Sequence, residues 1–320
     1  NNKATGPTKI KGEHVKEWLD LAYPQPKPGE EDIPPSQPEQ WDKLVELVQY
    51  IFETGDIPEE LHWSFLDILP KPDGGTRGVG LIETVWKLIE AIIDTRVKTT
   101  ITFHDLIHGF KIRRGTGTCT IELKLQQELA CLYQLPLFPI FLDLKKAYDK
   151  LHRKRALKKM RQYGVGKRLC RLVENHWKRQ KIVARQKGFH GPAFDADSGA
   201  AQGSIFAPNL FNINLDAVVR HWLTLVIDDN GEASKIGLGM TVREKLALFY
   251  ADDGLISGTD HEWLQQALNV LIGLFRRIGL ETNTTKTKMM TTFPGYINTS
   301  LSNMAYERRM TGTRDTLREK

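Results

Sequence analysis

Three aspartates stand where this sequence is otherwise apolar. Asp143 interrupts Ile140-Phe-Leu-Asp-Leu144, and Asp252-Asp253 lies between the apolar runs 246–250 and 255–257. Strand alternation reserves the position of Asp143 for an apolar side chain, so its carboxylate either faces solvent at a strand end or is buried and needs a cation. Adjacent carboxylates at a hairpin tip repel each other, and a bound cation relieves that cost. Hard divalent cations want such oxygen ligands. Two of them about 4 Å apart can activate a hydroxyl and hold a triphosphate, which is what nucleotide addition asks for. Adjacent aspartates also decorate ordinary turns, and Asp228-Asp229-Asn-Gly231 is read as one of those.

The elements that must carry these groups follow from periodicity. A short strand holds Asp143, and the runs around Asp252-Asp253 predict a hairpin. Upstream, Leu44, Leu47, Val48 and Ile51 predict a helix over 41–52. Residues 65–69 read as a strand closed by the turn Lys71-Pro-Asp-Gly-Gly75. Helices are expected over 83–96 and 118–133, two basic helices over 153–163 and 167–179, a strand over 181–185, and a helix over 207–223 opened by Pro208. Thr259 with Glu262 reads as a capping box for a helix whose Leu264, Leu268, Leu271, Phe275 and Ile278 form an apolar stripe. Residues 1–40, rich in Pro and Gly, are expected to be mostly loop, with at most a short helix over 13–21. The sum is an α+β chain.

Apolar residues make up 40% and charged residues 26% of the 320, a globular balance. No apolar run is long enough to span a bilayer and no signal peptide is evident, so no membrane partner and an intracellular location are expected, with nucleus and cytoplasm both open. Cys119, Cys131 and Cys170 form no CxxC pair, which argues against structural zinc and a disulfide framework. The net charge is +6, but from Lys145 to His190 there are 17 Lys and Arg against only Asp149 and Glu174. A concentrated positive band on an acidic body suits a nucleic-acid channel, since phosphate contacts supply non-specific affinity. Solvated faces of amphipathic helices would look the same.

Phe141-Leu-Asp-Leu-Lys-Lys-Ala-Tyr-Asp149 resembles motif A of reverse transcriptases, and Phe249-Tyr-Ala-Asp-Asp253 resembles their motif C. Ala201-Gln-Gly-Ser-Ile-Phe-Ala-Pro-Asn-Leu-Phe211 is similar to motif B, and Gly279-Leu-Glu-Thr-Asn-Thr-Thr-Lys-Thr287 to motif D. Leu69-Pro-Lys-Pro-Asp-Gly-Gly-Thr-Arg77, His108-Gly-Phe-Lys-Ile-Arg-Arg-Gly-Thr116 and Asn2-Lys-Ala-Thr-Gly-Pro7 resemble the elements upstream, in family order. The resemblance is closest to the enzymes of non-LTR retrotransposons and group II introns.

It implies a right-handed polymerase fold of fingers and palm, the palm an antiparallel sheet backed by helices. Fingers would cover 61–139 after a lead-in over 1–60, and the palm 140–293 with a basic fingers segment interleaved around 153–200. A charged tail would follow over 294–320, too short for a thumb, so a fragment of a longer retroelement polyprotein is expected. The resemblance also implies an RNA-directed DNA polymerase extending a DNA primer on an RNA template with dNTPs. Two Mg²⁺ ions, or Mn²⁺ in their place, would be held by Asp143, Asp252 and Asp253, with Lys286 near the leaving pyrophosphate. Lys71 and Arg77 would hold the triphosphate, Tyr148 would exclude a ribose 2′-hydroxyl, and Gln202 with Gly203 would line the floor beneath the base pair. Arg114, Arg153, Lys154, Lys158, Arg161, Lys178 and Arg179 would contact nucleic-acid backbone.

The pattern departs from the family at Ala201, where arginine is usual, at Ser204, at Gly78-Val-Gly80, and at Thr8, where aspartate is usual. An RNA-dependent RNA polymerase, a silent nucleic-acid-binding remnant and a metal-dependent nuclease remain as alternatives.

Overall fold

The computed structural model describes residues 5–24, 39–70, 72, 74–186, 189–196, 198–201, 203–226 and 247–291. Lys71, Gln202, the turn at 228–231 and the tail over 294–320 lie outside the described residues. The chain forms a mixed α/β fold that divides into two compact units. One comprises Asn1–Ile101 with Arg153–Ala207, the other Thr102–His152 with Pro208–Lys320.

In chain order the elements are α1 (Gly12–Ala22), α2 (Glu39–Thr54), a 3-10 turn (Glu59–His62), β1 (Trp63–Pro70), β2 (Thr76–Ile82), α3 (Thr84–Thr100), α4 (Thr116–Leu132) and β3 (Ile140–Lys145). There follow α5 (Arg153–Gln162), α6 (Lys167–Arg179), β4 (Lys181–Gln186), β5 (Phe189–Asp195), α7 (Ala207–Val226), β6 (Ala247–Tyr250), β7 (Asp253–Ile256), α8 (His261–Arg277), β8 (Glu281–Thr282) and β9 (Lys288–Met289).

The first unit is built on the sheet β2-β1-β4-β5. β1 contains the strand expected over 65–69, and β2, which was not expected, pairs back on it as a hairpin with Gly74 at φ +81 in the turn. β1 also pairs in parallel with β4, Trp63 opposite Lys181 and Asp67 opposite Arg185. Arg185 locks that register by gripping both carboxylate oxygens of Asp67, at 2.7 and 2.9 Å. β5, which no periodicity announced, is the exposed edge strand; Pro192 within it is the kind of residue that blunts an edge. α3 runs four residues past its expected end because Val85, Trp86, Ile89, Ile93 and Val97 keep burying one face. At its start Glu83, fully buried, accepts the Thr8 amide at 2.7 Å and a short hydrogen bond from the Thr8 hydroxyl. Thr84 Oγ1 donates to the Ile10 carbonyl at 2.6 Å, so the N-terminal segment is tied down before α1 begins.

The second unit is centred on β3, in the sheet order β6-β7-β3-β8 with β9 also on β3, every pairing of these strands antiparallel. α8 buries Leu264, Leu268, Leu271 and Phe275 as its stripe predicted, and Trp222 Nε1 on α7 donates to the Ala267 carbonyl at 2.8 Å. The cap of α8 differs from expectation. Asp260 rather than Thr259 is the N-cap, its carboxylate accepting the amides of Glu262 and Trp263, because a carboxylate beside unpaired helix amides gains charge as well as a hydrogen bond. Among the described residues no helix is long and apolar enough to cross a membrane.

Candidate active site

β3 and β7 set the aspartates side by side. Their register pairs Leu142 with Gly254 and Asp143 with Asp253. β6 and β7 pair Tyr250 with Asp253, which leaves Ala251 and Asp252 as the two-residue connection. Ala251 sits at φ +56, a left-handed conformation costing an alanine on the order of 1 kcal/mol.

The segment ahead of α4 holds that hairpin. Phe249 accepts the amides of His108 and Gly109 on its carbonyl, at 2.8 and 3.2 Å, and donates to the Leu106 carbonyl at 2.8 Å. A Cβ on Gly109 would lie 2.6 Å from the Ala251 nitrogen, so only glycine lets the two backbones approach this closely. Asn212 Nδ2 on α7 fixes the Gly109 carbonyl at 2.8 Å. Neither Gly109 nor Asn212 received a role from sequence, although His108-Gly109 lay within a recognised motif.

Asp143 has its own brace. Asn283, just after β8, donates its side-chain amide to Asp143 Oδ2 at 2.8 Å and its backbone amide to the Asp143 carbonyl at 2.7 Å. Thr285 Oγ1 donates to Asn283 Oδ1 at 2.8 Å, and the Asn283 carbonyl accepts the amides of Lys286 and Thr287. The same turn brings Lys286 Nζ to 3.8 Å from Asp143 Oδ1, from a largely exposed side chain. Sequence assigned Lys286 but gave Asn283 no role, although it lay within the same recognised motif.

Tyr148 is half-buried with its ring 5.2 Å from that of Phe211. Burial, then the charges of Asp252 and Tyr250, push its hydroxyl up to about 12, so the phenol stays protonated. Burial, followed by Asp252 and Asp143, likewise holds the Asp253 carboxyl above its usual value, while Lys286 pulls it down. The three carboxylates therefore feel one another. Among the described residues no three metal-binding side chains form a ready cage. Mg²⁺ does not require one, since it is usually held by one or two carboxylates together with substrate phosphates and water. A crowded acidic group beside one cationic side chain fits that kind of ion.

The other expected site residues are divided between the units. In the first unit Arg77 lies on β2 opposite Leu69. Gly203, at φ +110, packs so closely that a Cβ would lie 2.5 Å from the Gly80 carbonyl oxygen. Lys154, Lys158, Arg161, Lys178 and Arg179 are exposed on α5 and α6, with Arg161 and Lys178 both paired to Glu174, at 2.8 and 2.9 Å. Arg153 differs from the surface role expected of it. It is only 7% exposed, and its guanidinium donates to the carbonyls of Gly199 and Ala196 and to Gln180 Oε1. In the second unit Arg114 is held by Glu122 at 3.0 Å.

A family model described as reverse transcriptase (RNA-dependent DNA polymerase) matches residues 69–313. The chain belongs to the reverse transcriptase family. It is 21% identical over 248 residues to the retrovirus-related Pol polyprotein from type-2 retrotransposable element R2DM of Drosophila melanogaster, a match covering 76% of this chain and 22% of that polyprotein. The chain thus spans about a fifth of the length of this curated relative. Solved telomerase structures share the fold. That of Candida tropicalis in complex with a fragment of telomeric RNA gives a TM-score of 0.55 at 12% identity, over 80% of this chain and 45% of the telomerase. That of Candida albicans gives 0.52 at 14% identity, over 79% and 48%.

Proposed function

We propose that this reverse transcriptase chain is an RNA-directed DNA polymerase core of the non-LTR retrotransposon or group II intron type, extending a DNA primer with dNTPs. The observation that carries the reading is the register placing Asp143 directly opposite Asp253, with Asp252 at the adjoining tip and Tyr148 and Lys286 beside them. In this reading the second unit works as the palm, and the first supplies fingers.

Asp143, Asp252 and Asp253 would hold Mg²⁺, which when bound lowers the cost of the charge developing on the primer oxygen and on pyrophosphate. Asn283 keeps the Asp143 carboxylate from rotating away. Lys286 places a positive charge, and a proton donor, on the side of Asp143 that faces solvent. Tyr148, backed by Phe211, has little room to retreat and would meet a ribose 2′-hydroxyl. Lys71 and Arg77 would bind the triphosphate by charge-assisted hydrogen bonds. Gln202 and Gly203 would support the base pair, and Lys154, Lys158, Arg161, Lys178 and Arg179 would follow the phosphate backbone of template and primer.

The test is Mg²⁺-dependent incorporation on oligo-dT annealed to poly-A RNA, with dTTP against UTP and with the Asp252→Asn, Asp253→Asn double variant. Incorporation of dTTP that the double variant loses supports the reading. Preference for UTP points to an RNA polymerase, and RNA binding without incorporation points to a silent remnant.

A further inference from the structure

Two buried ionisable side chains, one basic and one acidic, grip the backbone on either side of Gly203, and burial pushes the Glu90 carboxyl up to about 7. Upstream, Arg153 donates Nε to the Gly199 carbonyl at 2.9 Å and Nη1 to the Ala196 carbonyl at 2.5 Å, while Gln180 Oε1 takes Nη2 at 2.7 Å. Downstream, Glu90 on α3, 8% exposed, collects donors only. Its carboxylate accepts the Ser204 hydroxyl at 3.0 Å, the Ile205 amide at 2.8 Å and Trp86 Nε1 at 3.1 Å, with the Phe206 amide also bonded to it. Ser204 Oγ in turn accepts the Ala207 amide at 3.1 Å. Between the two grips, Gly199 and Gly203 adopt φ +77 and +110, conformations open to glycine and disfavoured for other residues.

Buried ionisable groups of this kind seldom raise stability over apolar replacements, because desolvation offsets their hydrogen bonds. What they supply is geometry. Arg153 fixes carbonyls and Glu90 fixes amides, so Ala196 and Gly199 on one side and Ser204 and Ile205 on the other are held by groups that cannot exchange roles. We propose that Glu90 and Arg153 are positioning residues for polymerisation, holding the turn at Gly203 in the form that receives the incoming nucleotide. This rests on the polymerase reading of the site. Neither residue need touch substrate, and loss of either loosens the turn so that nucleotide binding must reorder it first.

The full chain carrying Glu90→Gln, which keeps the shape but sets an amide donor against the donors of 204–206, is compared with the unaltered chain. Hydrogen exchange at the Ile205 and Phe206 amides is read by mass spectrometry, and KM and kcat for dTTP are read on oligo-dT/poly-A. The expected result is exchange at those amides about tenfold faster or more and a KM raised by about tenfold, with kcat within about twofold, as loss of uniform binding requires. Arg153→Lys should raise KM in the same way, because an ammonium cannot span both carbonyls and Gln180. Where Glu90→Gln does not fold, Ser204→Ala removes one bond of the same set and should produce a smaller shift of KM in the same direction. Unchanged KM with unchanged exchange overturns the proposal, and so does a lower kcat at constant KM. No incorporation by the unaltered chain would instead sink the polymerase reading and this role with it, so the two failures are separable.

Discussion

Asn283 shows how the orientation of a carboxylate depends on a side chain drawn from far along the sequence. Its amide fills one lone-pair direction of Asp143 Oδ2 and leaves the other oxygen to Lys286 and to an incoming ion. Groups that orient metal-binding carboxylates typically alter affinity or activity by about 10- to 100-fold when removed. Asn283→Ala is therefore expected to lower dTTP incorporation by that range and to shift the Mg²⁺ dependence to higher concentration, which a magnesium titration of the initial rate would reveal. Asp253 behaves in the opposite sense for stability. Burial and its acidic neighbours already disfavour its charge, so Asp253→Asn should leave the melting temperature in metal-free buffer unchanged or higher while activity falls. A melting temperature several degrees lower would mean that the carboxylate serves the fold.

At the level of elements, the 3-10 turn, α3 and α6 meet through a ring stack. Trp86 lies face to face with His176 at 3.7 Å, and His176 with His62 at 5.2 Å. Burial, aided by Arg179 for His62 and by His62 and Arg153 for His176, holds both imidazoles below their usual value of 6.5. Unfolded histidines take up protons near 6.5 whereas these resist, so their contribution to stability is complete above that pH and is lost as pH falls beneath it. Melting at pH 5 should be lower than at pH 7.5 by on the order of 1 kcal/mol, ~2–4 °C, and His176→Phe should flatten the difference. The elements themselves were mostly legible: the strand around Asp143, the carboxylate hairpin, both basic helices and α8 lie where periodicity put them. β5 was not: although it folds straight back on β4 with Gln186 opposite Phe189, it was masked by Gly191 and Pro192, which read as strand breakers. Nor was the parallel pairing of β1 with β4, because pairing across 118 residues leaves no local pattern. The same limit hid Glu90, Asn212 and Asn283, whose partners are distant in sequence and whose residue types announce nothing.

Over the whole chain, positive charge is concentrated between Lys145 and His190. Lys154 and Lys158 stand exposed on α5 within a basic segment of an otherwise acidic chain. Replacing both by alanine should weaken primer-template binding at low salt and make the dependence of log K on log salt shallower by about 1–2, measured by fluorescence anisotropy at several salt concentrations. An unchanged slope would mean that these lysines only solvate their helix. Arg153, counted with them from sequence, belongs instead to the interior, its 7% exposed side chain bonded to the carbonyls of Gly199 and Ala196 and to Gln180. The N-terminal segment carries a different message. Thr8 replaces the aspartate usual in the family, yet a carboxylate is still present at that spot, supplied from across the chain by Glu83. Restoring aspartate alone would set two acids against each other in a dry place, and removing Glu83 alone would strand the Thr8 amide. Positions 8 and 83 are thus energetically coupled, and a change at either alters what the other can hold.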